Sequence, residues 1–143
     1  MMNEHKIKVG IIGTGNIGTD LLMKVRKSHI LECGIFAGRN KDSVGIIRAR
    51  NMGIPVTDES INYIVRNPEC CEIVFDATSA AVHEKNAPIL KKTNKFAIDL
   101  TPAHVGEFCV PAINLEKGIS QDNVNMITCG GQATIPLAHA IAK

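Results

Sequence analysis

The chain has 143 residues, the length of one ordinary domain, and we expect residues 1–143 to form a single domain. Its 16 basic and 14 acidic residues are mixed along the sequence and give a formal net charge of only +2, while its Trp, Tyr and Phe residues number none, one and four. This composition predicts neither a nucleic-acid-binding surface nor stacking on bases. No apolar run is long enough to span a membrane and the first residues are polar and charged, so we expect a cytoplasmic protein with no membrane segment.

The stretch from Lys8 to Asp20 has the pattern of a buried strand, a Gly-x-Gly-x-x-Gly turn and the start of a helix. Gly13 permits a tight turn, Gly15 leaves the backbone open to a pyrophosphate, and Gly18 lets the helix sit close to the strand. Free N–H groups and the positive end of the helix dipole favour an anion at this point. In this context the motif predicts dinucleotide binding, and an incidental glycine-rich turn is the alternative.

A second strand is predicted from Ile30 to Ala37, followed by Gly38-Arg39-Asn40. A dinucleotide site that prefers NAD usually has an Asp or Glu near this point to hold the ribose hydroxyls, and the sequence has none there. Arg39 is either a solvated loop residue or a guanidinium that stacks on adenine or pairs with a 2′-phosphate.

Strands and helices alternate along the rest of the chain. After the second strand, the predicted elements are a helix capped by Asp42 or Ser43 and ending near Met52, a strand at 54–56, a helix at 58–66 with Ile61, Ile64 and Val65 inward, a strand at 72–77, a helix at 80–92, and strands at 95–100 and 124–128. The first helix is expected to pack Ile17, Leu21, Leu22 and Val25 on one side, and residues 103–122 are expected to be mostly irregular. This alternation predicts a Rossmann-like, doubly wound, mainly parallel α/β sheet.

Polar residues follow the strand at 72–77, namely Asp76, Thr78 and Ser79. Ligands bind at the carboxyl ends of strands in open α/β sheets, so these groups are candidates to line a cofactor cleft. His83 lies on the apolar face of the next helix and is expected to be a packed, hydrogen-bonded histidine rather than a ligand. The five cysteines, an odd number in a chain whose first residues have no export signal, predict reduced thiols rather than a disulfide framework. Their spacing does not fit a zinc site, so we expect no metal site.

A second informative stretch runs from Asn123 to Pro136 and contains Cys129-Gly130-Gly131. It places Cys129 at the carboxyl edge of the sheet and at the entrance to a closing helix, whose dipole favours the nucleophilic thiolate. The uncovered N–H groups of the two glycines can receive the oxyanion that forms when a thiolate attacks an aldehyde. The alternative is a buried cysteine that packs as a small hydrophobic residue.

Taken together, these stretches resemble the acetylating acetaldehyde dehydrogenase family over nearly the whole chain. The resemblance is carried by residues 12–21, 75–80, 99–102, 110–114 and 123–136, and it is most specific at Asn125-Met126-Ile127-Thr128-Cys129-Gly130-Gly131-Gln132-Ala133-Thr134-Ile135-Pro136. It implies conversion of acetaldehyde, coenzyme A and NAD to acetyl-CoA and NADH, often beside a 4-hydroxy-2-oxovalerate aldolase that delivers the aldehyde. The resemblance assigns the acyl-thioester nucleophile to Cys129 and the NAD-phosphate loop to Thr14, Gly15, Asn16 and Ile17. With the two outer glycines of the motif, the predicted cofactor-binding residues are Gly13, Thr14, Gly15, Asn16, Ile17 and Gly18.

Members of that family continue for about another domain beyond the position of Lys143. The resemblance therefore implies that residues 1–143 are an NAD-binding domain ending just after the cysteine turn, without the substrate and dimerisation domain. We expect self-association or a complementary chain to cover a helix that begins near Thr134. Two alternatives stay open: a non-catalytic dinucleotide-binding module, and a phosphorylating or semialdehyde dehydrogenase, which also uses a cysteine thioester.

Overall fold

The computed structural model describes residues 6–143, which form seven strands and six α-helices that alternate except where the sixth strand follows the fifth directly. The strands are β1 (Ile7–Ile12), β2 (Leu31–Ala37), β3 (Val56–Thr57), β4 (Ile73–Asp76), β5 (Phe96–Asp99), β6 (Glu107–Phe108) and β7 (Asn123–Asn125). The helices are α1 (Asn16–Lys27), α2 (Val44–Asn51), α3 (Ile61–Arg66), α4 (Ala80–Lys92), α5 (Pro111–Ile119) and α6 (Cys129–Ala142). The strands form one parallel sheet in the order β3-β2-β1-β4-β5-β7-β6, so the prediction of a Rossmann-like, doubly wound sheet is confirmed.

An apolar core lies on each face of this sheet. On one face the strands pack against α1 and α2, and the buried side chains are Val9, Ile11, Leu22, Val25, Phe36, Ile46 and Ala49. On the other face they pack against α3 and α4, and the buried side chains are Ile12, Ile35, Ala37, Ile61, Ile64, Cys71, Val74, Leu90 and Ala97. Burial on both faces explains why β1 and β2 are apolar along consecutive residues rather than at every second one.

The strand order reverses between β1 and β4. The chain runs outward from β1 through β2 to β3 and then returns to place β4 on the other side of β1. In an open parallel sheet this reversal leaves a crevice at the carboxyl ends of the two central strands. The glycine-rich turn follows β1, and Thr78 and Ser79 follow β4, so both lie at this crevice.

The prediction of a mostly irregular segment at residues 103–122 is wrong, because β6 and α5 both lie in it. The strand has only two residues, so it carries no alternation that a sequence pattern could show. The helix begins at Pro111, a favoured first position, but Asn114 interrupts it with a non-helical φ of −137°.

Several smaller predictions also differ from the structure. Val65 is predicted to face inward but is 42% exposed, because Ile61 and Ile64 occupy the inward face of α3. Ile17 is also predicted to pack inward but is 61% exposed. The side of α1 that packs on the sheet buries Gly18, Leu22 and Val25 instead. The short third strand is Val56–Thr57, and the last strand is Asn123–Asn125 and ends before the turn at 126–128. The closing helix begins at Cys129 rather than near Thr134.

Within residues 6–143, none of the helices combines the length and the hydropathy that crossing a bilayer would need.

Candidate functional site

The turn between β1 and α1 is built around two glycines that have no room for a side chain. Gly13 has a φ of +105°, and a Cβ there would lie 2.5 Å from the carbonyl oxygen of Ala77. A Cβ on Gly18 would lie 1.9 Å from the carbonyl oxygen of Gly13. The predicted roles of Gly13 in a tight turn and of Gly18 in close packing are therefore confirmed.

Gly15 is placed differently, because it is exposed and a Cβ on it would meet no atom within 4 Å. It is the N-cap of α1, and no side chain caps this helix. The first N–H groups of α1 therefore have no intrahelical partner and lie at the positive end of the helix dipole. An anionic group can approach this backbone without displacing any part of the protein.

A second helix begins on the other side of the crevice. Ser79 is the N-cap of α4, and its side chain makes no capping hydrogen bond. Thr78, one residue earlier, is fixed by its N–H, which donates to Oδ1 of Asp76 at 3.0 Å. Two uncapped helix N-termini therefore flank the crevice and add to the attraction for an anion.

A cleft of about 340 Å³ lies between these two helix ends. Its lining residues are Gly13, Thr14, Gly15, Gly38, Arg39, Asn40, Ser60, Ala77, Thr78, Ser79 and Val82. Arg39 is the single charged side chain in this set, and the set contains no carboxylate. Of the six predicted cofactor-binding residues, the structure places Gly13, Thr14 and Gly15 at this cleft. Asn16, Ile17 and Gly18 follow in the first turn of α1, where Asn16 lines a neighbouring cavity and Gly18 is buried.

Cys129 is exposed and is the first residue of α6. The hydroxyl oxygen of Thr128 caps this helix by accepting a hydrogen bond from the Gly131 N–H at 2.9 Å. The predicted position at the start of a helix is confirmed, and the alternative of a buried cysteine is excluded by its exposure. The N–H groups of Cys129 and Gly130 remain at the uncovered end of the helix.

The lining of the glycine cleft does not include Cys129. The residue follows β7, which is separated from β1 by β4 and β5 in the sheet. Three strand spacings of about 4.8 Å put the ends of β1 and β7 roughly 14 Å apart along the same edge. A dinucleotide bound across the crevice lies along this edge, so the glycine turn and Cys129 can contact opposite ends of one ligand.

A buried polar network connects the ends of the central strands. Asp76, Asp99 and Asn125 end β4, β5 and β7 in matching register, and all three are fully buried. His83 lies below them, with Nδ1 2.9 Å from Oδ2 of Asp76 and Nε2 3.5 Å from Oδ2 of Asp99. Asn86 donates to the same oxygen of Asp76 at 2.9 Å. The prediction that His83 is a packed, hydrogen-bonded histidine is confirmed.

This network makes the stability of the fold depend on pH in the acid range. Burial alone raises the pKa of Asp76, but hydrogen bonds from His83, Thr78 and Asn86 outweigh burial and hold the pKa below its ordinary value of 3.8. A lowered native pKa stabilises the fold above pH 3.8, and this contribution disappears as the pH falls through the native pKa. We expect the Asp76→Asn variant to be less stable than the wild-type chain at neutral pH.

Urea unfolding across an acid pH series measures this prediction. The difference in unfolding free energy between the two proteins should shrink steadily below pH 3.8. A difference that stays constant over the whole series would contradict the assignment of an ionised, hydrogen-bonded Asp76.

Sequence reasoning missed Asp99, Thr101 and Asn125 as a connected group. Asp99 and Thr101 lie at the end of the predicted strand at 95–100 and Asn125 lies near the start of the predicted strand at 124–128, but their contacts depend on the insertion of β7 between β5 and β6 in the sheet. The available signal was the recurrence of an aspartate near the end of two predicted apolar strands, Asp76 at 72–77 and Asp99 at 95–100. Such a recurrence indicates side chains that meet at one edge of a parallel sheet.

The chain matches the family model "Semialdehyde dehydrogenase, NAD binding domain" over residues 8–120. It is 51% identical over 142 residues to the acetaldehyde dehydrogenase of Pectobacterium atrosepticum, covering 98% of this chain and 48% of that protein. It is 50% identical over 137 residues to the acetaldehyde dehydrogenase of Spirochaeta aurantia, covering 96% of this chain and 46% of that protein. The chain thus spans about half the length of the curated relatives it matches.

Solved structures share the fold at much lower identity. Aspartate semialdehyde dehydrogenase with NADP from Candida albicans superimposes with a TM-score of 0.71 at 12% identity, covering 96% of this chain and 47% of that one. GenD2 from gentamicin A biosynthesis, in complex with NAD, superimposes with a TM-score of 0.65 at 18% identity, covering 85% of this chain and 34% of that one. With the glycine turn, the crevice and the sequence match in agreement, the chain belongs to the family of semialdehyde dehydrogenase NAD-binding domains.

Proposed function

We propose that this chain is the cofactor-binding and thioester-forming part of an acetylating acetaldehyde dehydrogenase. The observation that carries the proposal is the open backbone of Gly15 at a cleft flanked by two uncapped helix N-termini. The names of the relatives at about 50% identity supply the substrate class, which is a small aldehyde. Coenzyme A as the acyl acceptor comes from the resemblance of the cysteine stretch to the acetylating family.

The pyrophosphate of NAD would be held by the turn of Gly13, Thr14, Gly15, Asn16, Ile17 and Gly18. The residues fit this group, since the space above Gly15 is free and the cleft lining carries no carboxylate to repel it. When bound, NAD supplies a hydride acceptor. Arg39 reaches the rim of the same cleft, where it can stack on adenine or pair with a 2′-phosphate.

Cys129 would carry out the covalent chemistry. Its thiolate adds to the aldehyde carbon, and the N–H groups at the start of α6 stabilise the oxyanion of the thiohemiacetal. Loss of a hydride from the same carbon leaves an acyl thioester on Cys129. The thiol of coenzyme A then takes the acyl group, and the sulfur of Cys129 leaves as the free thiol.

We predict that Cys129 is the most reactive thiol in the chain. Burial raises the pKa of Cys33 and of Cys71 to about 12 and also raises the pKa values of Cys70 and Cys109, which keeps these four thiols protonated. Cys129 is exposed at the start of α6, where an alkylating reagent reaches its sulfur freely. Brief iodoacetamide treatment near neutral pH, followed by peptide mapping, should find label at Cys129 first.

The Cys129→Ser variant is the control for this experiment and should lose the fast-reacting site. Earlier labelling of Cys70 or Cys109 would overturn the nucleophile assignment. Retention of NADH binding together with an unreactive Cys129 would instead favour the non-catalytic dinucleotide-binding module.

The outer face of α6 is a candidate interaction surface. Leu137 is 67% exposed and Ile141 is 86% exposed, and proteins usually cover such apolar side chains by association. We predict that the chain self-associates, or binds a complementary chain or a 4-hydroxy-2-oxovalerate aldolase, through this face. Sedimentation velocity of the chain alone should show species larger than a monomer, and Ile141→Asp should reduce them. A monomer at all concentrations would argue against self-association.

The proposal also includes a cytoplasmic location. The five cysteines are free thiols in the described structure, which fits a reducing compartment.

A further inference from the structure

The start of α6 is held in place by hydrogen bonds rather than by an apolar core. None of the residues of this helix, all of which the structure describes, is buried. A helix without a buried face gains little from apolar packing, so its position depends on polar contacts at its ends. The contacts that matter for Cys129 are therefore those of the turn at 126–128 and of the first turn of α6.

Asn125 supplies the first of these contacts and uses both ends of its side-chain amide. Nδ2 donates to Oδ2 of Asp99 at 2.7 Å and to the carbonyl oxygen of Thr101 at 3.0 Å. Oδ1 accepts from the N–H of Ile127 at 2.8 Å. Because Asn125 is fully buried, this amide joins the rigid edge of the sheet to the turn that precedes Cys129.

The turn needs such a constraint because its backbone is strained. Ile127 has a φ of +60°, a conformation that β-branched residues rarely adopt. Gln132, in the first turn of α6, supplies a second constraint through Nε2. This atom donates to the carbonyl oxygens of Met126 at 2.9 Å and of Cys109 at 2.6 Å. The strained residue is thus fixed from the strand side and from the helix side.

We propose that Asn125, seated on the buried carboxylate of Asp99, and Gln132 are positioning residues for the Cys129 thiol. The proposal rests on the proposed role of Cys129 as the nucleophile. Without these amides the turn relaxes away from the left-handed conformation at Ile127, and the first turn of α6 moves with it. Cys129 then loses its fixed place at the helix N-terminus, where the free N–H groups favour the thiolate.

The rate of Cys129 alkylation by iodoacetamide, measured from pH 5 to pH 10 on the full chain, tests the proposal. We expect Asn125→Ala to slow alkylation at neutral pH by about two- to thirtyfold, the range expected when a group loses its interaction with a helix N-terminus. The midpoint of the pH profile should move upward. Asn86→Ala is the matched control, since it removes a buried amide donor to Asp76 but does not touch the turn.

Gln132→Met keeps the approximate shape of a half-buried side chain and removes the amide that donates to Met126 and Cys109, so it decides the outcome if Asn125→Ala does not fold. An upward shift of the pH midpoint in either variant, with Asn86→Ala unchanged, supports the proposal. Unchanged profiles in folded variants, or an equal shift in Asn86→Ala, overturn it. A wild-type Cys129 that reacts no faster than the buried cysteines contradicts the proposed function itself, which separates the two failures.

Discussion

Replacing Gly15 with valine should weaken NADH binding by about 100-fold or more, equivalent to about 3 kcal/mol, and leave the melting temperature nearly unchanged. The backbone of Gly15 has an ordinary φ of −78°, and a Cβ there meets no atom within 4 Å, so the fold accepts a side chain. The valine methyl groups would fill the space through which a pyrophosphate reaches the free N–H groups of α1. Titration of NADH fluorescence and a thermal melt measure the two effects.

Gly18→Ala is the comparison variant, and its expected effect is on the stability of the fold. Its Cβ would lie 1.9 Å from the carbonyl oxygen of Gly13, so α1 has to move away from the turn and the melting temperature should fall. Equal NADH affinities for the wild-type chain and Gly15→Val would refute the assignment of the glycine turn as the cofactor site.

Removing the imidazole of His83 should destabilise the fold by about 3–5 kcal/mol, because it leaves buried carboxylates with fewer donors and creates a cavity. His83 and Asp76 have side chains with no exposure, so water cannot replace the lost hydrogen bond at 2.9 Å without opening the structure. For a chain of this size the melting temperature of His83→Ala should fall by roughly 10 °C or more.

His139→Ala serves as the control, because His139 lies exposed on α6 and its removal should leave the melting temperature unchanged. Urea unfolding of both variants gives the free energies directly. A His83→Ala variant as stable as the wild-type chain would show that the buried network contributes little to folding.

The parts of the fold that were predictable from sequence depend on local chemistry. The apolar run of β1 and the glycines at 13, 15 and 18 form strand, turn and helix because of their own side chains and their immediate neighbours. The same holds for the cap of α2, where Ser43 accepts from the N–H of Ile46. Such features can be predicted without knowing the order of the strands in the sheet.

The parts that were not predictable depend on competing local signals or on long-range contacts. Gly130 and Gly131 disfavour a helix, so the sequence suggested that α6 starts later, but the Thr128 cap and the Gln132 side chain hold the helix from Cys129. The pairing of Asn125 with Asp99 requires β7 to insert between β5 and β6. No periodicity in the sequence carries that information.

The absence of buried side chains along α6 implies that this helix can open while the rest of the domain stays folded. Local opening of a segment without apolar contacts costs less free energy than global unfolding, and its amides exchange with solvent faster than those of the central strands. Substitutions in the two cores should therefore lower the melting temperature without altering how often the Cys129 segment opens. A ligand or partner that rests on α6 would do the reverse, slowing amide exchange around Cys129 while hardly changing exchange in β1 and β4.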